Sequence, residues 1–150
     1  MWTDGVVVLR PWAPADAQAL AAAWAEPDIA RWTAVPADRS LAAAARWIEG
    51  WDVRRQRGLA LDLVIVHVGQ PGVVLGEVGA VFVTRPPQMG WWLLPAARGQ
   101  GLATRAVRLF ADRLREAGVP ELTADVDPAN RASIAVATAA NLTLRHPGSY

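Results

Sequence analysis

The stretch that most constrains the fold of this chain is 88–117, where a strand, a glycine turn and a helix follow one another without a break. Residues 89–94 are a short apolar run that ends at a proline, which predicts a buried strand. Gly99 and Gly101 then allow a tight turn whose backbone N–H groups lie open to a ligand. From Leu102 onwards the apolar residues recur with the period of a helix, so the turn leads directly into a helix N-terminus.

This helix is predicted to have two distinct faces and to end at Gly118 and Pro120. The apolar face comprises Leu102, Ala106, Leu109, Phe110, Leu114 and Ala117, and the polar face comprises Arg105, Arg108, Asp112, Arg115 and Glu116. A helix N-terminus combines free N–H groups with the positive end of the helix dipole, and Arg98 adds a further positive charge. The sequence therefore predicts a phosphate or pyrophosphate site at residues 99–104.

Three kinds of phosphate ligand can be compared with this turn. A nucleoside-triphosphate loop needs a lysine, and the chain contains none. A dinucleotide loop needs a third glycine or alanine, but Thr104 stands at that position. The third candidate ligand is coenzyme A. The alternative to any ligand is that the glycines only form a strand-to-helix turn.

Length and composition narrow the functional classes. A chain of 150 residues suits one domain with a proper core. The absence of cysteine and lysine excludes disulfides, thiolate chemistry and a protein Schiff base. A net charge of +1 and the lack of a long apolar run predict neither a nucleic-acid partner nor a membrane partner. With no recognisable secretion signal the expected location is cytoplasmic, and the Ala-, Arg-, Gly- and Pro-rich composition suggests a bacterial, GC-rich genome.

The whole chain is predicted as a mixed α/β domain in the order β-α-α-β-β-β-α-β-α. Strands are expected at 6–10, 59–68, 73–83, 89–94 and 122–126, with a further short one at 142–145. Helices are expected at 14–26, 41–57, 102–117 and 131–140, and a loop at 28–39. The second and third strands are joined by Gln70-Pro71-Gly72, which predicts a hairpin.

Three blocks of this chain resemble those of a known family. The motif Arg98-x-x-Gly101-x-Ala103, after a strand ending Leu93-Leu94-Pro95, resembles the coenzyme A loop of the GNAT acetyltransferases, and the fuller string resembles their RimJ/RimL-type branch. Val8-Leu9-Arg10-Pro11-Trp12 and Asp127-x-x-Asn130-x-x-Ser133 resemble further blocks of that branch. The resemblance implies a single-domain GNAT fold over 1–150, with a mixed, mostly antiparallel sheet flanked by helices.

The resemblance also implies acetyl-coenzyme A as the donor and an amine as the acceptor, reacting by direct attack in a ternary complex. The acceptor stays open between a protein N-terminus, an aminoglycoside-like amine and a small metabolite. By the same resemblance, the residues expected to bind coenzyme A are Trp91, Trp92, Leu93, Arg98, Gly99, Gln100, Gly101, Leu102, Ala103, Thr104 and Asn130. Asn130 has a second interpretation as the N-cap of the last helix, and Trp91 to Leu93 as an ordinary core strand. Trp32 falls where the family builds its acceptor pocket.

The catalytic candidates are Ser133 and Glu77. By resemblance Ser133 matches the serine that protonates the leaving thiolate, since Ala137 stands where many other GNATs have a tyrosine. Glu77 interrupts an apolar strand, so it is either a cleft carboxylate with a raised pKa, suited to act as a base, or an exposed glutamate at an edge. Asp62 and Asp125 are weaker alternatives as the base. In sequences of the RimJ/RimL type an acidic residue often precedes the strand motif that begins at Met89, but here Gln88 stands at that position and cannot accept a proton. The only tyrosine is Tyr150, at the terminus. No metal is expected, because His67 and His146 have no partner ligands at metal-binding spacing.

The C-terminus departs from the family pattern. Asn141-Leu142 replaces a Gly-Phe pair, and Pro147-Gly148 interrupts the usual closing strand. One expectation that follows is a homodimer in which a partner chain supplies that strand. The alternative expectation is a degenerate relative, a module that binds coenzyme A or dimerises without catalysing transfer.

Overall fold

The structure is a computed structural model that describes residues 1–145, so the predicted proline break at 147–148, His146 and Tyr150 lie outside the described residues. One sheet of seven strands runs through the molecule, and the strands lie side by side in chain order. The strands are β1 Trp2–Thr3, β2 Val7–Arg10, β3 Ala60–His67, β4 Gly76–Val81, β5 Gln88–Leu93, β6 Thr123–Asp125 and β7 Thr143–Arg145. Pairing is antiparallel from β1 to β5 and parallel from β5 to β7.

Six helices cover the sheet. They are α1 Ala17–Ala25, α2 Pro27–Trp32, α3 Leu41–Glu49, α4 Trp51–Gln56, α5 Leu102–Glu116 and α6 Arg131–Ala139. None of the helices in the described residues 1–145 is long and apolar enough to cross a membrane. The mixed, mostly antiparallel sheet flanked by helices confirms the predicted fold class.

Several predicted boundaries were wrong. The expected loop 28–39 begins with helix α2, because Pro27 starts it and the Glu26 carboxylate accepts a hydrogen bond from the Ile29 N–H at 2.9 Å. The single helix expected at 41–57 is divided at Gly50 into α3 and α4. Strand β4 is shorter than predicted, because Val73 belongs to the preceding turn, where its N–H bonds to Gln70. The two-residue strand β1 carried too little pattern to be predicted.

Alternation along the strands divides the core into two. On β3, Leu63 and Ile65 face a core formed with α5 and α6, whereas Val64 and Val66 face a second core formed with α1 and α3. On β4, Val78 belongs to the first core, so its neighbour Glu77 points to the α1 and α3 side. The position of Glu77 thus follows from the pleat of the strand.

The sheet opens between β5 and β6. Strand β5 pairs with β4 along residues 88–93, but its parallel pairing with β6 covers only Gln88 and Met89. Within the described residues no strand pairs with 90–93 on the β6 side. The opening leaves one backbone edge of β5 free immediately before the glycine turn and helix α5.

Candidate active site

The glycine turn before α5 presents a row of unused backbone donors. Gly99 and Gly101 have positive φ angles of 76° and 73°, a region that only glycine adopts freely, and Gly101 is the residue before the helix. Within the described residues the backbone N–H groups of 99–104 donate no hydrogen bond, while the Arg105 N–H is the first to bond back, to the Gly101 carbonyl. Consecutive free donors at the positive end of a 15-residue helix form a surface suited to an anion.

The Arg98 side chain contacts acidic residues at the start of α2 rather than the glycine turn. Its guanidinium contacts the Glu26 carboxylate at 2.8 Å and Asp28 at 3.5 Å, and its Nε donates to the Leu93 carbonyl at 3.2 Å. The hydrogen bond from Arg98 and that from the Ile29 N–H hold the pKa of Glu26 below its usual range. Arg98 therefore braces the turn against the start of α2, and part of its charge is neutralised there.

Two adjoining cavities lie along the open edge of β5. The larger has a volume of about 440 Å³ and reaches from Glu77 to α6. The smaller, about 260 Å³, borders the glycine turn through Arg98 and Ala103. The residues common to both walls are Trp32, Thr33, Trp91, Trp92, Asn130 and Ser133. The cleft therefore connects the anion-binding turn to Glu77, with Ser133 at the junction.

Asn130 caps helix α6. Its side-chain oxygen accepts a hydrogen bond from the Ser133 N–H at 3.2 Å, which fixes the first turn of that helix. This capping leaves the Asn130 amide nitrogen as a donor on the cleft wall. The Ser133 hydroxyl is half-buried on the same wall and makes no hydrogen bond to protein within residues 1–145.

Glu77 lies inside the larger cavity rather than at an exposed edge. Its side chain is half-buried, and its carboxylate accepts a hydrogen bond from the Trp12 indole N–H at 2.9 Å. Burial raises the pKa of Glu77 to about 8; the negative charge of Asp62 adds to the rise, while Trp12, Trp92 and Arg54 oppose it. A carboxyl group that titrates in this range is suited to accept a proton near neutral pH.

Asp62 lies diagonally across from Glu77, because β3 and β4 pair Val64 with Glu77 and Asp62 with Gly79. Burial raises the pKa of Asp62 to about 6, and the charge of Arg54 opposes this rise. Arg54 itself stacks on Trp47, with 4.3 Å between its Cζ and the ring centroid, and donates to the Trp47 carbonyl. The two carboxyl groups thus share a buried environment with one arginine nearby.

The structure brings together some of the residues predicted for the site and leaves others apart. Glu77, Ser133, Asn130, Trp91 and Trp92 line the larger cavity, and so do the weaker base candidates Asp62 and Asp125 and the neutral Gln88. Leu93, Arg98 and Ala103 line the smaller one. Neither cavity wall includes Gly99, Gln100, Gly101, Leu102 or Thr104, whose backbone N–H groups donate no hydrogen bond within the described residues. His67 is exposed, and no metal-ligand group of three is present among the described residues.

Sequence reasoning missed Trp12 and Thr33 as parts of this site. Trp12 lies 65 residues before Glu77, to which its indole N–H donates a hydrogen bond. The only sequence signal for Trp12 was its place at the end of the block Val8-Leu9-Arg10-Pro11-Trp12. Thr33 lies in the predicted loop, where no periodicity marks an inward side chain. Both belong to the site because of tertiary packing.

Comparison with known families agrees with this geometry. The acetyltransferase (GNAT) domain family matches residues 7–143, which is most of the chain. The protein therefore belongs to the GNAT family of N-acetyltransferases. A search of the curated proteins by sequence found no significant match.

Solved structures with this fold include several acetyltransferases. An acetyltransferase from Agrobacterium tumefaciens is 26% identical, with a TM-score of 0.75 over 93% of this chain and 81% of that one. The microcin C7 self-immunity acetyltransferase MccE, solved with acetyl-coenzyme A and AMP, is 21% identical with a TM-score of 0.76, over 92% and 78%. Mycobacterium smegmatis RimJ, in complex with coenzyme A disulfide, is 23% identical with a TM-score of 0.73, over 89% and 68%. RimL is also among the solved structures that share this fold.

Proposed function

We propose that this protein transfers the acetyl group of acetyl-coenzyme A to a primary amine by direct attack in a ternary complex. The observation that carries the proposal is the continuous cleft, in which Glu77 lines one cavity, the glycine turn borders the other, and Ser133 lines both. A donor held at the turn and an amine held beside Glu77 would meet at Ser133.

The residues present fit the donor. The free N–H groups of 99–104 suit a pyrophosphate, because they converge on the N-terminus of α5. The unpaired edge of 90–93 suits the pantetheine amides, because an extended chain can pair with it as an added strand. The amide nitrogen of Asn130 is a further donor on the same wall.

The reaction divides between two side chains. Glu77 accepts a proton from the ammonium form of the acceptor, and the neutral nitrogen then attacks the thioester carbonyl carbon. As the carbon–sulfur bond breaks, Ser133 gives its hydroxyl proton to the sulfur. The positively charged nitrogen of the tetrahedral intermediate loses a proton, which restores the Ser133 hydroxyl through solvent. Backbone N–H groups on the free edge of β5 stabilise the negative charge that develops on the carbonyl oxygen.

Thermal unfolding with and without acetyl-coenzyme A tests the donor, with NAD and ATP as controls. A ligand at a hundred times its dissociation constant stabilises the folded state by about 2.7 kcal/mol, which raises the melting temperature visibly. A rise with acetyl-coenzyme A alone supports the proposal. A folded protein that shows no rise contradicts it.

The variants Glu77→Gln and Ser133→Ala test the chemistry. Loss of a general base lowers kcat by about 10²- to 10⁴-fold, and we expect a smaller loss for Ser133→Ala, because water can replace a hydroxyl as the proton donor. Binding of acetyl-coenzyme A should stay unchanged in both. The matched control is Glu116→Gln on the exposed side of α5, which should keep full activity. Donor binding without turnover in the unmodified protein would instead favour a non-catalytic coenzyme A-binding module.

A further inference from the structure

The larger cavity has a negative and aromatic wall. Four of the side chains that line it are carboxylates, namely Asp62, Glu77, Asp125 and Asp127. None of the described residues on this wall is an arginine or a histidine, and the chain has no lysine. The cavity therefore repels anions and has no group to pair with a carboxylate or phosphate on the acceptor.

Tryptophans supply much of the remaining wall. Trp24, Trp32, Trp47, Trp91 and Trp92 all line the cavity, and the face of an indole ring attracts cations. Two of these rings already carry an arginine, since Arg31 stacks on Trp32 at 4.2 Å and Arg54 on Trp47 at 4.3 Å. The volume of about 440 Å³ falls in the range of small-molecule sites. A compact organic cation suits both the size and the lining.

Asp125 points independently to a missing donor. One of its carboxylate oxygens is buried and has no hydrogen-bond partner, although the residue lines the cavity. An unpaired buried carboxylate oxygen is unfavourable, so native structures normally supply a donor for it. The other oxygen is accessible and also makes no hydrogen bond within residues 1–145, so an ammonium ion in the cavity would bind there and offset the charge of the carboxylate.

The pKa values of Glu77 and Asp62 are consistent with a site for a cation. Burial and, for Glu77, the charge of Asp62 raise the pKa values of these two carboxyl groups, and the only positive charge that lowers them is that of Arg54. Arg54 does not line the cavity. Burial is the largest cause of both rises, so these carboxyl groups lack compensating positive charge, and a bound cation would favour their ionised forms.

We propose that the acceptor is a small molecule with at least two amino groups. One amine reacts beside Glu77, and a second, as its ammonium ion, is held by Asp125 and Asp62 against the tryptophan wall. This inference rests on the proposed acetyl transfer and specifies its substrate class. Only the neutral amine has a lone pair for attack, so the second amino group keeps its charge and serves to anchor the molecule.

The experiment compares three four-carbon probes that differ only at the far end. They are 1,4-diaminobutane, butylamine and 4-aminobutanoate, titrated by calorimetry into the full chain saturated with coenzyme A. A hydrogen bond to a charged group is worth about tenfold or more in affinity, so the diamine should bind at least about tenfold tighter than the monoamine. The amino acid should bind most weakly, because its carboxylate faces the acidic wall. The kcat/KM values for acetylation should follow the same order.

Substitutions then locate the anchor. Asp125→Asn should reduce the preference for diamine over monoamine several-fold. Asp62→Asn provides a second test in case Asp125→Asn fails to fold. The matched control is Asp112→Asn on the exposed face of α5, which should retain the full preference.

Three binding results would overturn the inference. They are equal binding of diamine and monoamine, binding of neither, and a diamine preference that persists in both the Asp125→Asn and Asp62→Asn variants. If monoamines or peptide N-termini are acetylated as efficiently as diamines, the acetyltransferase function stands and only this inference fails. If acetyl-coenzyme A does not bind at all, the proposed function fails, and the inference, which rests on it, fails with it.

Discussion

Glu77 is a residue whose chemistry depends on its neighbours rather than on its own type. It occupies a strand position that faces the α1 and α3 layer, where burial and Asp62 raise its pKa to about 8. The Trp12 indole fixes one carboxylate oxygen. A base of this kind is only partly ionised at neutral pH, so the rate of acetyl transfer should rise with pH until Glu77 is fully ionised.

Replacement of Asp62 by asparagine should shift that pH dependence. Asp62→Asn removes a negative charge that raises the pKa of Glu77, so the rise of kcat with pH should occur at a lower pH than in the unmodified protein. The measurement is a pH profile of kcat at saturating substrates. Asp112→Asn, on the outer face of α5, should leave the profile in place. An unchanged or upward-shifted profile in Asp62→Asn would contradict the assignment of Glu77 as the base.

At the scale of an element, the glycine turn and α5 act as one unit. Gly101 precedes the helix with φ of 73°, and Gly118 follows it with φ of 101°. An ideal Cβ at either position meets no atom within 4 Å, so a substitution acts through backbone conformation alone. The two glycines therefore have similar steric surroundings at opposite ends of the helix.

This pair gives a matched prediction. Gly101→Ala and Gly118→Ala should each destabilise the fold by roughly 1–2 kcal/mol, because alanine resists the left-handed conformation. Only Gly101→Ala should also weaken acetyl-coenzyme A binding, by about tenfold or more, because it redirects N–H groups that meet the pyrophosphate. Denaturant unfolding and donor titration measure the two effects. Equal donor affinity in both variants would show that the glycine turn has no binding role.

For the whole molecule, the Arg10–Asp16 pair fixes α1 to the sheet. Asp16 is only 4% exposed, and both of its oxygens accept hydrogen bonds from Arg10, at 2.8 and 2.9 Å. Burial alone would raise the pKa of Asp16, but Arg10 and the Ala13 N–H together hold it below its usual range. A carboxyl group with a lowered pKa stabilises the fold above its unfolded-state pKa and loses that contribution as the pH falls through its folded-state pKa.

Asp16→Asn should therefore destabilise the protein by about 3 kcal/mol at neutral pH, because it leaves the arginine partly buried without its counter-charge. The difference from the unmodified protein should shrink as the pH falls from about 4, the unfolded-state pKa of an aspartate, through the lower folded-state pKa of Asp16. The exposed pair of Asp38 and Arg46 offers a control, and Asp38→Asn should change stability by less than about 1 kcal/mol. Urea unfolding across this pH range tests both statements; similar losses for the two variants would contradict them.

The homodimer remains a prediction. Within the described residues β7 pairs only with β6, so its outer edge is open to a strand from another copy. Leu144 on β7 is partly exposed, and Leu144→Lys should dissociate a dimer formed at this edge. Leu41→Lys, on an exposed position of α3, should not. Sedimentation velocity measures the assembly, and a monomer at all concentrations would refute the prediction.

The sequence by itself determined the elements whose signals are local. The strand, turn and helix of 88–117 were predictable because proline, two glycines and a change of period lie within one continuous stretch, and the unused N–H groups follow from that geometry alone. Asn130 was recognisable as a cap for the same reason. The order of most remaining elements also followed from local periodicity and turn residues.

Tertiary structure decided the chemistry of the site. The sequence left Glu77 open between a buried and an exposed position, because only the pairing of β3 with β4 and the packing of Trp12 determine its surroundings. Arg98 was expected to add charge to the turn, yet the position of α2 engages it with Glu26. Such contacts join residues far apart in the chain, and their electrostatic effect depends on distance and burial, which no local pattern encodes.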